Sequence, residues 1–146
     1  MARTIFINLP VTSLERSIAF YQALGAEQNA AFSNDKAAMM VLSDVIHVML
    51  LTHDFYRTFT AKEIADAHRT SQVLLCLSEE SPAGVDALVN RAASAGGRAD
   101  PGPRQEMGEF MYGRSFEDPD GHHWEVMWMD LAAMPQPDEA SSRVDA

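Results

Sequence analysis

The sequence predicts an α+β fold built from two βαβββ modules within one domain, residues 1–130. The order of a strand, a helix and further strands occurs in residues 3–51 and again in residues 71–130. The apolar segment Ile46–Leu51 matches Trp124–Met129, and each segment follows an acidic turn. The opening strand of each half precedes a helix that ends at glycine. These matches indicate an internal repeat.

The first module opens with a strand that ends near Val11, because apolar and polar side chains alternate from Ile5 onwards. Thr12 followed by Glu15 has the spacing of a capping box and predicts a helix that stops at Gly25. Three strands are predicted after it, at residues 28–32, 37–42 and 45–51.

Residues 52–70 form a connector between the modules that is too polar for a strand. Thr60 and Glu63 have capping-box spacing and predict a short helix over Ala61–His68. A connector of this length is typical of a lid or a dimer contact, and a plain surface excursion fits it equally well.

The second module begins with a predicted strand over Gln72–Ser78. Ser81 and Pro82 have the chemistry of an N-cap and a first helical position, and the helix they start ends at Gly96. Strands follow at residues 110–117 and 123–129, separated by the turn Asp118–Gly121. Residues 131–146 are rich in proline and small polar side chains, which predicts a disordered tail.

Alternation along the last strand places Glu125 on one face with His123 and Met127, and the two tryptophans on the other. The tryptophan face is predicted to be core. A carboxylate among methionines costs free energy unless a proton, a hydrogen-bond donor or a metal compensates its charge. The other interpretation is an outer sheet face on which Glu125 meets water or a salt-bridge partner.

The charge and cysteine content exclude several classes of function. A formal net charge of -10 without a basic patch argues against nucleic acid or an anionic membrane as partner. Cys76, the only cysteine, lies in an apolar run and is expected to be a buried, unreactive side chain. With no secretory signal and no apolar run of ~20 residues, we expect a cytoplasmic protein.

Two segments carry a resemblance to a known family. The opening NLPVTSLERSIAFYQALG and the close FEDPDGHHWEVMWM resemble the vicinal oxygen chelate superfamily. This superfamily holds glyoxalase I, bleomycin-resistance proteins, fosfomycin-resistance enzymes and extradiol dioxygenases. The resemblance covers Arg3 to Asp130. It implies a curved, half-open mixed sheet around a cavity, and a homodimer. The sequence leaves open whether the two modules pair within one chain or exchange between chains.

The resemblance also implies a metal site at four strand positions. Carried over, these positions are Phe6, His47, Gln72 and Glu125. His47, Gln72 and Glu125 could hold one divalent ion, Zn, Ni, Fe or Mn. Phe6 has no lone pair to donate, so the chain departs from the four-ligand pattern of glyoxalase I.

Two functions remain open on these residues. One is a lyase or isomerase, or an activity related to the dioxygenases, in which Glu125 or a metal-bound water moves a proton next to a carbonyl. The other is a metal-free protein that sequesters a small hydrophobic or aromatic compound, as the bleomycin-resistance branch does. The candidate substrate-binding residues for either function are Phe6, Asn8, Tyr112, Arg114 and Met127.

Overall fold

The first module contains one helix and four strands. The computed structural model describes residues 3–106 and 108–133. In the first module these are β1 (Ile5–Val11), α1 (Leu14–Ala23), β2 (Glu27–Asn29), β3 (Ala37–Val41) and β4 (Ile46–Thr52), with a single 3-10 turn, Ala30–Phe32, after β2. This turn replaces the second half of the strand predicted at residues 28–32.

The connector begins with a one-turn helix, and the second module repeats the strand and helix order. The elements are α2 (His53–Tyr56), β5 (Leu75–Ser78), α3 (Pro82–Ser94), β6 (Arg98–Ala99), β7 (Gln105–Glu106), β8 (Met111–Glu117) and β9 (His123–Met129). Among the described residues no helix has both the length and the apolar character needed to cross a membrane. Most of the predicted tail, residues 134–146, lies outside the described residues.

The strands form two open mixed sheets, one from each module, which confirms the predicted α+β class. Their orders are β1-β4-β3-β2 and β5-β9-β8-β6, with β7 paired to β8. In each sheet the first strand of the module runs parallel to the last strand, and the other pairings are antiparallel. β1 and β5 are therefore edge strands in corresponding positions.

The N-cap of the first long helix, α1, differs from the prediction, whereas that of α3 agrees with it. Ser13, not Thr12, caps α1 by accepting a hydrogen bond from the Arg16 N–H. Thr12 instead donates its backbone N–H and its hydroxyl to Asp120, at 3.0 and 2.8 Å. Asp120 lies in the turn of the other module, so a contact distant in sequence takes Thr12 away from the helix. Ser81 caps α3 as predicted.

The helix predicted over Ala61–His68 is wrong, since no helix forms there. A helix of two turns makes too few hydrogen bonds to offset the cost of its nucleation. Polar side chains take the local N–H groups instead: Thr60 accepts from Lys62 N, and Asp66 accepts from His68 N.

A single core joins the two modules. Phe20 and Tyr21 of α1 pack with Phe116 and Trp124 of the second sheet, at ring-centroid distances of 6.0 and 6.2 Å. None of these four side chains is more than 1% exposed. Aromatic side chains of this size each contribute a few kcal/mol on burial, so the contact between modules stabilises both.

A buried polar network reinforces the same contact. The Tyr21 hydroxyl donates to Asp118 Oδ2 at 2.6 Å and accepts from Trp124 Nε1 at 3.1 Å. Asp118 Oδ1 accepts the N–H groups of Asp120 and His122. Burial raises the pKa of Asp118, and these donors favour its charged form. The turn Asp118–Gly121 forms as predicted, with Gly121 at φ +88°.

Candidate functional site

In the first sheet His47 lies beside Phe6. β1 and β4 pair these two residues in parallel register, and their rings meet edge to face with centroids 5.0 Å apart. The flanking residue Val48 is fully buried on the helix side of the sheet, so His47 lies on the other side. His47 Nδ1 is buried and makes no hydrogen bond to a described residue.

In the second sheet Glu125 lies between Cys76 of β5 and Ser115 of β8. It shares its side of the sheet with His123 and Met127, as predicted, while Trp124 and Val126 are buried on the other side. His123 Nε2 is 3.6 Å from Glu125 Oε1, and both side chains are about one-fifth exposed. The two groups form a partly desolvated pair.

Gln72 is not the counterpart of Phe6. The predicted strand over Gln72–Ser78 is wrong at its start, since β5 begins at Leu75. The register pairs Phe6 with His47 and Cys76 with Glu125, so Cys76 has the place in the second sheet that Phe6 has in the first. The apolar run from Val73 predicted a strand from sequence, but only its second half finds a partner in β9.

Cys76 is exposed rather than buried, because it lies on the edge strand on the same side as Glu125. Desolvation and the Glu125 carboxylate raise the pKa of its thiol. The thiol is therefore protonated at neutral pH and is a poor nucleophile, which matches the expectation that it is unreactive.

Tyr112 and Arg114 share one side of β8, as predicted, but this is the side of Trp124 and not that of Glu125. Arg114 is only 7% exposed and pairs with Asp86 at 3.0 Å and with Asp100 at 2.7 Å. The Tyr112 hydroxyl donates to the same Asp86. Hydrogen bonds from Tyr112 and Arg114 lower the pKa of Asp86, and those from Arg114 lower the pKa of Asp100. These residues hold α3 on the second sheet, and their donors are not directed to a ligand.

Two cavities lie where the modules meet. The first, about 460 Å³, we call the apolar cavity. Residues of β5 and of the turn before β4 line it, and so does Met127, which the sequence predicted to bind a ligand. Its other apolar and aromatic lining residues are Tyr21, Leu24, Leu42, Ile46, Leu77, Leu88, Phe116, Trp124 and Met129.

The second cavity, about 580 Å³, we call the connector cavity. It lies between the connector, β1 and the turn before β9. Two of the residues predicted from sequence, Asn8 and Gln72, line it, and His123 does so as well. Asn8 is exposed and donates to the Phe6 carbonyl at 3.1 Å. Neither cavity is lined by His47 or Glu125.

The predicted ligands of the metal that the resemblance implies lie on three different parts of the chain. The described residues contain no group of three or more histidine, cysteine, aspartate or glutamate side chains arranged to hold an ion. His47 belongs to the first sheet and meets the ring of Phe6, whereas Glu125 belongs to the second and meets His123. Gln72 lies on a connector-side loop. A site built from these three ligands therefore stays a prediction.

Sequence reasoning missed two features of this region. The position of Cys76 opposite Glu125 follows from strand register, which pattern alone did not fix. The contribution of the connector to a cavity depends on long-range packing. His123 was detectable, because it shares the alternation of Glu125 along β9.

Solved structures with the same fold come from several bacteria. A hypothetical protein from S. aureus is 27% identical, with a TM-score of 0.71, and the match covers 88% of this chain and 94% of that one. A glyoxalase/bleomycin resistance protein/dioxygenase family enzyme from Burkholderia phytofirmans is 18% identical, with a TM-score of 0.72 and coverage of 86% and 98%. The fosfomycin resistance protein FosX from Mesorhizobium loti is 16% identical, with a TM-score of 0.64 and coverage of 90% and 96%. At such identities the last two show the fold alone.

No curated protein matches the sequence of this chain. The family model described as Glyoxalase/Bleomycin resistance protein/Dioxygenase superfamily matches residues 4–126, which is most of the chain. This match agrees with the two open sheets and with the end motif at Asp118–Gly121. The chain therefore belongs to the Glyoxalase/Bleomycin resistance protein/Dioxygenase superfamily.

Proposed function

We propose that this protein binds a small hydrophobic or aromatic compound without the help of a metal, in the manner expected of the bleomycin-resistance type. The apolar cavity is the observation that carries this proposal. At about 460 Å³ it is large enough for a drug-sized molecule, and apolar and aromatic side chains form most of its lining. Met127 and Met129 give the cavity polarizable, adaptable walls, which suit aromatic ligands.

The geometry around His47 supports the metal-free form of the proposal. Phe6 has the place of a ligand in the superfamily pattern, and its ring packs on His47 instead of donating a lone pair. Metal analysis of protein purified without a histidine tag tests this point. We expect no stoichiometric Zn, Ni, Fe or Mn. Near-stoichiometric metal that is lost in both His47→Ala and Glu125→Gln would contradict the metal-free proposal.

Binding in the apolar cavity can be measured through the protein's own tryptophans. Trp124 lines the cavity, and Trp128 lies on the same side of β9. Titration with 2-naphthol should quench their emission to saturation. Met127→Lys should weaken the binding by about tenfold or more, because it places a longer, charged side chain in a cavity lined mostly by apolar side chains.

Met111→Lys is the matched control. Met111 lies on the same side of the second sheet, opposite Met129, but lines neither cavity. The Met111→Lys variant should bind 2-naphthol with the same affinity as the wild type. Equal binding by wild type and Met127→Lys would show that the apolar cavity is not the site, and the absence of saturable quenching would overturn the proposed function.

A second candidate function is proton transfer, as in a lyase or isomerase, and the His123–Glu125 pair favours it. Glu125 would act as the base that removes a proton from the carbon next to a carbonyl. His123, 3.6 Å away, would stabilise the negative charge that the substrate then carries. We would follow solvent deuterium entering dihydroxyacetone at the carbon next to its carbonyl, by proton NMR. Exchange that depends on Glu125, lost in Glu125→Gln, would favour the enzyme. Exchange unchanged by that substitution would dismiss this role.

We also propose a homodimer, because exposed apolar side chains lie on the edge strand β1 and directly before the edge strand β5. Ile5 and Phe6 of β1 are 55% and 49% exposed, and Val73 and Leu74, just before β5, are 54% and 56% exposed. A second copy would cover these residues and pair the open strand edges. The metal-free ligand site would then lie beside a subunit interface.

Light scattering at micromolar concentration tests the assembly. Wild type should have the mass of two chains, and Ile5→Lys should shift it towards one, because the charge would be buried on β1. Phe32→Lys is the control, since Phe32 is 62% exposed but belongs to neither edge strand. A wild-type mass of one chain contradicts the homodimer.

A cytoplasmic location is also a proposal, supported by the single cysteine and the absence of a basic patch for anionic membranes. Cell fractionation with an antibody to the native protein would test it. Recovery in a membrane or secreted fraction would contradict it.

A further inference from the structure

The connector cavity has a lining quite different from that of the apolar cavity. Its connector wall carries the side chains of Lys62, His68 and Arg69, and its sheet wall carries Asn8 and His123. Its volume of about 580 Å³ would admit a polar organic molecule of several rings or chains. None of these residues lines the apolar cavity, so the two cavities are separate sites.

The connector wall is held in place although it has no regular secondary structure. The Asp66 carbonyl accepts the N–H groups of Arg69 and Thr70, each at 3.0 Å, and its carboxylate accepts the N–H of His68. The same segment packs directly on the turn before β9. A Cβ atom added to Gly121 would lie 2.6 Å from His68 N, so only glycine permits this approach.

The lining contains two basic side chains that an anion could meet, Lys62 and Arg69. Lys62 and Arg69 make no ion pair within residues 3–106 and 108–133. Glu63 and Glu117 also line the cavity, which makes its charge balanced, whereas the whole chain has a net charge of -10. An anion therefore meets less repulsion here than over most of the surface.

Hydrogen-bonding capacity is also left unused. His123 Nε2 is buried and makes no hydrogen bond to a described residue, and its acidic neighbour Glu125 Oε1 is 3.6 Å away. Gln72, displaced from the strand predicted for it, also lines the cavity, as does Asn8, whose side-chain N–H already donates to the Phe6 carbonyl. The two carboxylates can accept hydrogen bonds from hydroxyl groups. The lining as a whole matches a molecule that carries one acidic group and several hydroxyls.

We propose that the connector cavity binds a small polyhydroxylated organic anion, whose carboxylate or phosphate group is held by Lys62 and Arg69. This site is additional to the apolar cavity. It gives the connector a binding role, as a wall that closes over a polar ligand. Bidentate contact from the Arg69 guanidinium would orient the acidic group.

The test uses three six-carbon polyhydroxylated compounds that differ in their acidic group. Gluconate carries a carboxylate, glucose 6-phosphate carries a phosphate, and glucose is neutral. In ¹⁵N-labelled protein of full length, at least one anion should shift the backbone amide signals of residues 60–73 in a saturable way, and glucose should not. A comparison of the affinities for gluconate and glucose 6-phosphate, measured from these shifts, shows whether the site prefers a carboxylate or a phosphate.

Arg69→Ala should weaken the binding of that anion by about tenfold, as expected for the loss of a charge-assisted contact. Arg91→Ala is the matched control, since Arg91 is an exposed arginine of α3 that lines neither cavity. Both positions are exposed, so both variants should fold.

Three results would each overturn the proposal. These are saturable shifts of the same amides by glucose at equal affinity, an equal loss of affinity in Arg91→Ala, or no connector shift with either anion at concentrations up to tens of millimolar. None of these results bears on 2-naphthol binding, which is read from the tryptophans of the second sheet.

Discussion

Asp118, in the turn before β9, connects the two modules through its buried carboxylate. The sequence placed it in a turn, and the structure shows in addition that it is 2% exposed and accepts from Tyr21 of the first module. A buried carboxylate is tolerated only when donors surround it, and Tyr21 is the donor that comes from the first module.

Tyr21→Phe should therefore lower the free energy of unfolding by about 1–3 kcal/mol, because it leaves a buried carboxylate oxygen without a donor. Urea unfolding followed by circular dichroism measures this. Tyr56→Phe is the control, since Tyr56 is only partly buried and makes no such bond in α2. A loss below a few tenths of a kcal/mol in Tyr21→Phe would show that water replaces the hydroxyl.

Arg114 is the second residue whose role is structural. Its guanidinium pairs with Asp86 and Asp100. Hydrogen bonds from Tyr112 and then Arg114 lower the pKa of Asp86, and those from Arg114 lower the pKa of Asp100. The folded-state pKa of each aspartate lies below its unfolded value, so the stabilisation is full above the unfolded pKa of about 3.9. It is lost as the pH falls through the folded-state pKa.

Arg114→Met should lower the free energy of unfolding at pH 7 by about 1–3 kcal/mol, a modest value because both aspartates remain partly exposed to water. The difference between wild type and variant should shrink as the pH falls below about 4. Denaturant unfolding at pH 7, 5 and 3 tests both statements. A difference that is independent of pH would show that packing, not charge, is what Arg114 contributes.

At the scale of elements, the connector is defined by its contact with the turn before β9. Gly121 has φ +88°, and a Cβ there would also lie 2.8 Å from the carbonyl carbon of Ala67. Gly25, after α1, has φ +100° and no atom within 4 Å of a Cβ. Substitutions at these two glycines can therefore be compared, because both add strain at positive φ but only the one at Gly121 adds a steric clash with the connector.

Gly121→Ala should expose the connector, whereas Gly25→Ala should not. Both variants should lose about 1–3 kcal/mol of stability through backbone strain at positive φ. Hydrogen exchange should rise at residues 64–72 only in Gly121→Ala, because its methyl group displaces the connector backbone. Equal exchange in the two variants would mean that the connector is not held by this turn.

At the scale of the whole molecule, the two modules share one core, and we propose that they unfold together as one domain. Both tryptophans lie in the second module, so their fluorescence reports on that module and on its contact with Tyr21 of α1. Leu50 is fully buried in the first sheet. If the shared core couples the two modules, a substitution in the first sheet should change the unfolding that the tryptophans of the second module report.

Leu50→Ala should destabilise the protein by about 2–5 kcal/mol through the cavity it leaves. If unfolding is cooperative, the tryptophan transition should move with the circular dichroism transition by the same amount. A tryptophan transition that stays at its wild-type midpoint would show that the modules unfold independently.

The sequence by itself determined the α+β class, the repeated order of strand and helix, and the two-sided pattern of β9. These depend on local chemistry, such as the Ser81 cap, the Asp118–Gly121 turn and the alternation around Glu125. Each signal lies within a few residues of the element it predicts.

Tertiary structure alone decided the rest of the candidate site. The register that places Cys76, not Gln72, opposite Glu125 depends on where β9 finds a partner. The burial of Arg114 depends on Asp86 and Asp100, and the course of the connector depends on Gly121, all distant in sequence. Such contacts form between residues whose separation in the chain carries no periodic signal, so a single sequence does not show them.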